Sequence, residues 1–166
     1  HDLPLIIDEQ GGLTMFDVAS KARSVKRKHG LSLMVVDYLQ LMSGDGDTRN
    51  SQIEQITRGM KSLAKELQIP IVLLSQLSRK CEERPNRRPI PSDLRESGAI
   101  EQDADVVAFI HREDKYQDNP EKPNIVEILI EKHRNGPTGK VELYFDDKKT
   151  SFLRIEKSDF TAGASF

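Results

Sequence analysis

Cysteine is almost missing from this chain: Cys81 stands alone, in a charged stretch. That excludes an internal disulfide and any thiolate metal cluster. Long apolar runs are missing too. None approaches the roughly 18 to 20 residues of a membrane span, and the opening His-Asp-Leu-Pro lacks the charged-then-apolar layout of a signal peptide. A cytoplasmic protein without membrane contact is therefore expected. Net positive charge is absent: 25 Lys and Arg stand against 27 Asp and Glu, a formal charge of -2, so any contact with nucleic acid has to rest on local patches. A complete phosphate loop is missing as well. Gly136-Pro-Thr-Gly-Lys140 offers a Gly-Lys pair, but the G-x-x-x-x-G-K-[S/T] spacing is not met and Val141 follows the lysine.

What is present begins with Leu31-Ser-Leu-Met-Val-Val-Asp37, an almost wholly apolar run that ends in one carboxylate. It does not alternate, so a strand made from it is expected to be buried on both faces, as in a parallel sheet between helices. Parallel sheets bind ligands beyond the carboxyl ends of their strands, where Asp37 sits. An acid there is how phosphate-loop hydrolases hold magnesium beside a phosphate chain. The same residue also suits a plain strand-end cap, and both readings stay open at this point. Ile71-Val-Leu-Leu-Ser75-Gln76 reads as a second such strand. The strand-helix-strand order implies parallel neighbours, so that Asp37 and Gln76 face one crevice. The Gln76 amide there is able to hydrogen-bond a phosphate oxygen or a water, or simply to cap its strand.

Around these strands, Leu3–Asp8 reads as a short strand, and Thr14 with Asp17 as the capping box of a helix that stops at Gly30. The basic face of that helix reads as solvated exterior rather than a DNA patch. Ile53, Ile56, Met60, Leu63, Ala64 and Leu67 recur at helical spacing, with Glu54 and Arg58 paired outside. Between strand and helix, Ser43–Asn50 lacks an apolar anchor and is expected to be mobile; its acids do not meet calcium-loop spacing. Arg79–Arg88 carries five cations against two anions, a phosphate-facing loop or solvated charge. Ser92 is placed as an N-cap of a helix that Gly98 breaks. Val106–Ile110 reads as a third buried strand. In Ile125–Arg134, alternation puts Val126, Ile128, Ile130, Lys132 and Arg134 on one side and Glu127, Glu131 and His133 on the other. Two cations about 6.5 to 7 Å apart would both reach one phosphate. Residues 141–155 read as an antiparallel hairpin.

The segments MVVDYLQLM, PIVLLSQLSR, SDLRESGAIEQDAD and EKHRNGPTG, in this order, resemble the successive motifs of bacterial replicative DNA helicases of the DnaB type, over about Leu3 to Ile155. The resemblance implies an α/β fold: a partial RecA-like phosphate-loop ATPase core, a mostly parallel sheet flanked by helices, with a C-terminal antiparallel hairpin. Residues 1–156 would be the C-terminal portion of that motor domain and 157–166 a flexible tail. It implies a homohexameric ring that unwinds DNA with ATP and Mg2+, moving on single-stranded DNA at the replication fork and meeting primase and a helicase loader. It makes Asp37 the magnesium carboxylate and Gln76 the terminal-phosphate sensor. Arg95, Glu96 and Gly98 become single-strand contacts. Lys132 and Arg134 become the pair that reaches the neighbouring subunit's nucleotide, Arg134 as arginine finger. His133 stands where the family often has Gln. The family's phosphate loop and catalytic Glu, which precede this segment, are not among these residues, so the chain alone is expected neither to bind nor to hydrolyse ATP. A non-catalytic DNA- or partner-binding module is the alternative, and a RecA-type recombination or repair ATPase another. RESGAIEQDAD and KHRNGPTG favour the replicative helicases over the latter.

Overall fold

The computed structural model describes residues 4–94, 98–116 and 122–155. Contacts divide the chain into two compact units: His1–Ser78 with Leu94–Ala104, and Arg79–Asp93 with Asp105–Phe166.

In the first unit, α1 (Met15–His29) begins at Thr14, whose hydroxyl accepts the Asp17 N–H while the Asp17 carboxylate accepts the Thr14 N–H, the expected capping box. It stops at Gly30, whose φ of 78° a side chain would resist. Its cations are not merely solvated: Lys21 pairs with Asp8 at 2.5 Å, Arg23 makes two 2.7 Å bonds to Glu66, and Lys26 donates to the Leu67 carbonyl. Next come β1 (Met34–Val36), α2 (Arg49–Leu67), β2 (Ile71–Leu73) and α3 (Gly98–Asp103). The apolar stripe of α2 packs as its periodicity requires, with Ile53 and Ile56 fully buried beside Val18, Ala22, Leu39 and Ile100. Arg58 pairs with Glu54 on its outer side.

Several local expectations fail here for physical reasons. β1 and β2 do pair in parallel, Met34 with Ile71 through Val36 with Leu73, but their burial alternates. Val35 and Val72, directly opposite each other, are 56% and 44% exposed. Met34, Val36, Ile71 and Leu73 pack on the core. Among the described residues only one face is covered. Residues 4–8 form no strand: no strand among the described residues pairs with their backbone, and Leu5, Ile6 and Ile7 stay exposed. Ser43–Asn50 is tied down rather than loose. Gln52 donates to the Gly46 carbonyl at 2.8 Å, the Asp45 N–H donates to Gln55 at 3.1 Å, and a Cβ at Gly44 would lie 2.8 Å from that of Gln52. Gly98 lies in α3 rather than ending a helix, and Pro91–Asp93 is a separate 3-10 turn.

The second unit is a four-stranded antiparallel sheet in the order β3 (Val106–His111), β4 (Ile125–His133), β5 (Gly139–Asp146), β6 (Ser151–Arg154). The expected hairpin is its β5–β6 edge, with Phe145 opposite Phe152. β3 is not buried on both sides. Val107, Phe109 and His111 are covered while Val106 and Ile110 are exposed, the period of a half-solvated antiparallel strand. The parity read for β4 also breaks. Ala108 pairs with Ile130, but Val107 pairs with Lys132, so Glu131 is an extra residue in a β-bulge. Beyond it the alternation resets: Lys132 comes opposite covered Val107, and His133 opposite exposed Val106.

Candidate functional site

Asp37 lies where the sequence put it, one residue past β1, with an exposed side chain and a cis peptide bond to Tyr38. The parallel ladder runs on past both strand ends: the Leu74 N–H donates to the Val36 carbonyl at 3.0 Å, and the Leu39 N–H to the Leu74 carbonyl at 2.9 Å. That carries Ser75 and Gln76 alongside the turn that follows Asp37. The turn itself is a 3-10 helix, Leu39–Leu41, plugged into the core by fully buried Leu39. From α2, Arg49 donates to the Gln40 carbonyl at 2.7 Å and the Met42 carbonyl at 3.2 Å. Asp37 and Gln76 therefore do share one end of one parallel pair.

Gln40 was not visible in the sequence reading, although it holds the two sides together. Its amide oxygen accepts the Gln76 N–H at 3.1 Å, and its amide nitrogen donates to the Ser75 hydroxyl at 3.0 Å and the Gln76 carbonyl at 3.4 Å. The only available signal was its position three residues after Asp37, too little to single it out.

In the second unit, Arg134 follows β4 directly. Its N–H donates to the Asp105 carbonyl at 2.8 Å, and its guanidinium Nε lies 3.3 Å from the Asp105 carboxylate. Both side chains are about half exposed. Asp105 is thus a second residue that sequence reading missed. Lys132 is half-buried, and the bulge at Glu131 separates its orientation from that of Ile128 and Ile130. Gly98 is the first residue of α3 and is exposed. Arg95 and Glu96 lie outside the described residues, as does the stretch 157–166.

At least three of the five cations between Arg79 and Arg88 are engaged inside the second unit. Arg84 holds the buried Asp93 carboxylate with both guanidinium ends, one bond measuring 2.9 Å. Arg88 pairs with buried Glu127 at 2.5 Å, and Arg87 lies 5.0 Å over the Tyr116 ring. The Arg84 hydrogen bond outweighs burial and holds the Asp93 carboxyl below its ordinary range. Burial pushes Glu127 upward, but hydrogen bonds from Lys140 and Arg88 win, so it too is lowered. His111 is pushed down by burial, with Arg88 adding to the effect.

Could these residues hold a nucleotide's magnesium? Among the described residues no cluster of three or more His, Cys, Asp or Glu could cage a metal. Magnesium beside a phosphate chain needs no cage, because it keeps waters and takes one or two carboxylates plus phosphate oxygens. A lone exposed carboxylate such as Asp37 fits that donor set.

A family model described as DnaB-like helicase C terminal domain matches residues 1–154. The replicative DNA helicase DnaC of Bacillus subtilis is 45% identical over 162 residues, 96% of this chain and 36% of the relative. The replicative DNA helicase DnaB of Haemophilus influenzae is 52% identical over 151 residues, 89% of this chain and 32% of the relative. The chain thus spans about a third of the length of these curated relatives. A structure of a DnaB-like replicative helicase and its interactions with primase superposes with a TM-score of 0.84 at 45% identity, covering 87% of this chain and 36% of that one. A second solved structure, of an ATPase domain, gives the same TM-score and identity, and 52% of it is covered.

Proposed function

This chain belongs to the DnaB-like helicase C-terminal domain family, and on that premise we propose that it is part of the motor of an ATP-driven replicative DNA helicase. The observation that carries the proposal is that Asp37 and Gln76 both follow the carboxyl ends of one parallel strand pair, on backbones tied to one another by hydrogen bonds. Such crevices beyond parallel strand ends are where phosphates bind.

In this reading the intact protein is a homohexamer working at the cytoplasmic replication fork. It moves on single-stranded DNA, takes ATP with Mg2+, and meets primase and a helicase loader. Magnesium, when bound with ATP, neutralises charge on the phosphate chain. Asp37 supplies one oxygen to it. Gln76 donates its amide hydrogen to a terminal phosphate oxygen, or loses that partner after hydrolysis, and so reports the nucleotide state. Arg134, with Lys132, meets the charge that develops on the phosphoryl group bound by the next subunit. Arg95, Glu96 and Gly98 contact the single strand's backbone. The water-activating Glu and the phosphate loop come from outside this segment, so turnover belongs to the complete subunit.

The test is ATP turnover by a full-length helicase carrying this segment, with and without single-stranded DNA. Arg134→Ala is expected to lower kcat by about 10³- to 10⁵-fold with the hexamer intact. Mixing those subunits with phosphate-loop-dead subunits should restore turnover at interfaces with one intact copy of each. Turnover by Arg134→Ala within about tenfold of wild type would refute the finger assignment.

A further inference from the structure

We propose that Gln40 is a positioning residue for Gln76, setting the backbone from which the phosphate sensor reaches; this deepens the reading above and rests on it. The ladder between the two strands uses main-chain rungs as far as Leu74, which bonds both Val36 and Leu39. The next rung would have to come from Gln40, but there the main chain has already curled away. The Leu41 N–H turns back to the Tyr38 carbonyl and the Met42 N–H to the Leu39 carbonyl, each at 3.0 Å. Without a side chain to replace that rung, the Gln76 N–H would face an empty place in the ladder, and its carbonyl would keep, among the described residues, only the Ser75 hydroxyl at 3.5 Å.

The Gln40 side chain fills that place. A primary carboxamide carries an acceptor and a donor side by side, the same pair a peptide unit offers to a neighbouring strand. Its oxygen takes the Gln76 N–H, and its nitrogen serves the Gln76 carbonyl and the Ser75 hydroxyl. The clamp has a firm base. Leu39, one residue before it, is fully buried, and Arg49 of α2 holds the Gln40 carbonyl from the other side. Gln76, by contrast, is exposed and belongs to no strand. One side chain therefore ties the turn after the Asp37 carboxylate to the backbone of the proposed sensor. Glu in its place keeps the acceptor and loses the donor; Leu keeps the approximate volume and loses both.

The experiment uses a full-length helicase carrying this segment and compares wild type, Gln40→Leu, Gln40→Glu and Gln76→Ala. Steady-state ATP turnover is read with and without single-stranded DNA, and hexamer content is checked by sedimentation. A misaimed catalytic group costs up to about a hundredfold per ångström, so Gln40→Leu is expected to lower the DNA-stimulated kcat by about tenfold or more, with the KM for ATP within about twofold of wild type. Gln40→Glu should fall in between, because its second oxygen meets the Gln76 carbonyl. A general folding defect would instead reduce hexamer content and leave turnover per hexamer unchanged. If Gln40→Leu does not assemble, Gln40→Glu decides: wild-type stimulation there overturns the proposal. Wild-type stimulation in Gln40→Leu, alongside its loss in Gln76→Ala, overturns the positioning role and leaves the sensor standing. Full stimulation in Gln76→Ala overturns the sensor reading itself.

Discussion

Thr57→Val removes one hydroxyl from the middle of α2 and should loosen α3, a helix too short to hold itself. The Thr57 Oγ1 donates to the Asp103 carboxylate at 2.6 Å, and Thr57 is 5% exposed. A hydrogen bond to a charged acceptor contributes about 1.5 to 3 kcal/mol. Asp103 is half-buried, so water takes over part of the lost bond and the low end applies. The methyl that replaces the hydroxyl returns at most about 0.8 kcal/mol by burial. The net cost is about 1 kcal/mol, a factor of about five in an opening equilibrium. Six residues of α-helix do not persist in water without tertiary support, and apart from this bond the chief support described for α3 is Ile100 in the core. The loss should therefore appear locally. Hydrogen exchange of a peptide spanning 98–104, including the Ala104 N–H bonded to Ile100, should speed up about fivefold while a peptide from α2 stays unchanged. Equal exchange in both proteins would refute the tether. So would equal acceleration in α2, because then the effect is global. A double-mutant cycle with Asp103→Ala, which leaves the hydroxyl no side-chain acceptor there, should return coupling close to 1 kcal/mol; coupling near zero means the bond does nothing.

Leu39→Ala should cost about 2 to 5 kcal/mol in urea unfolding, because Leu39 is fully buried and its site is closed by strand rungs that limit collapse. Leu39→Met should stay within about 1.5 kcal/mol, and equal costs for the two would mean that cavity formation is not the cause. Acid stability should carry the mark of Asp93. Its folded pKa is depressed, chiefly by the Arg84 hydrogen bond, so its contribution is complete above the unfolded carboxylate value of about 3.9 and is lost as pH falls through the folded value. Asp93→Asn should therefore flatten the fall in stability below about pH 4, and an unchanged acid limb would count against the pair.

What the sequence disclosed was mostly local. The Thr14–Asp17 capping box and the stripe from Ile53 to Leu67 depend on residues three and four apart, and both stand as read. That Asp37 and Gln76 follow the same ends of two parallel strands was legible because strand-helix-strand order constrains neighbours. Several of the failures depend on something distant in sequence. Whether Val35 and Val72 are covered is decided by what packs above them, which an apolar run does not reveal. The Glu131 bulge exists only against β3, and it undid a parity argument that was sound for an unbroken strand. The cations after Arg79 read as free because Asp93, Glu127 and Tyr116, which engage three of them, lie elsewhere in the sequence.

Asp37, Gln76 and Arg134 share one construction, and it fits the roles proposed for them. Each side chain is exposed, while the backbone next to it is fixed by a bond from another segment. Asp37 precedes a turn plugged by Leu39, Gln76 is gripped through its peptide by Gln40, and the Arg134 N–H is held by the Asp105 carbonyl. Buried side chains would need no such bracing, because packing would hold them. Exposed side chains on loose backbone would lose much of their catalytic value to disorder. A site that has to stay open to an incoming nucleotide, yet meet it in one geometry, needs fixed backbone under solvated side chains. Strand ends and the turns just past them supply that combination, and two of the three fixing residues, Gln40 and Asp105, do not stand out within their motifs because the partners they fix are 36 and 29 positions away.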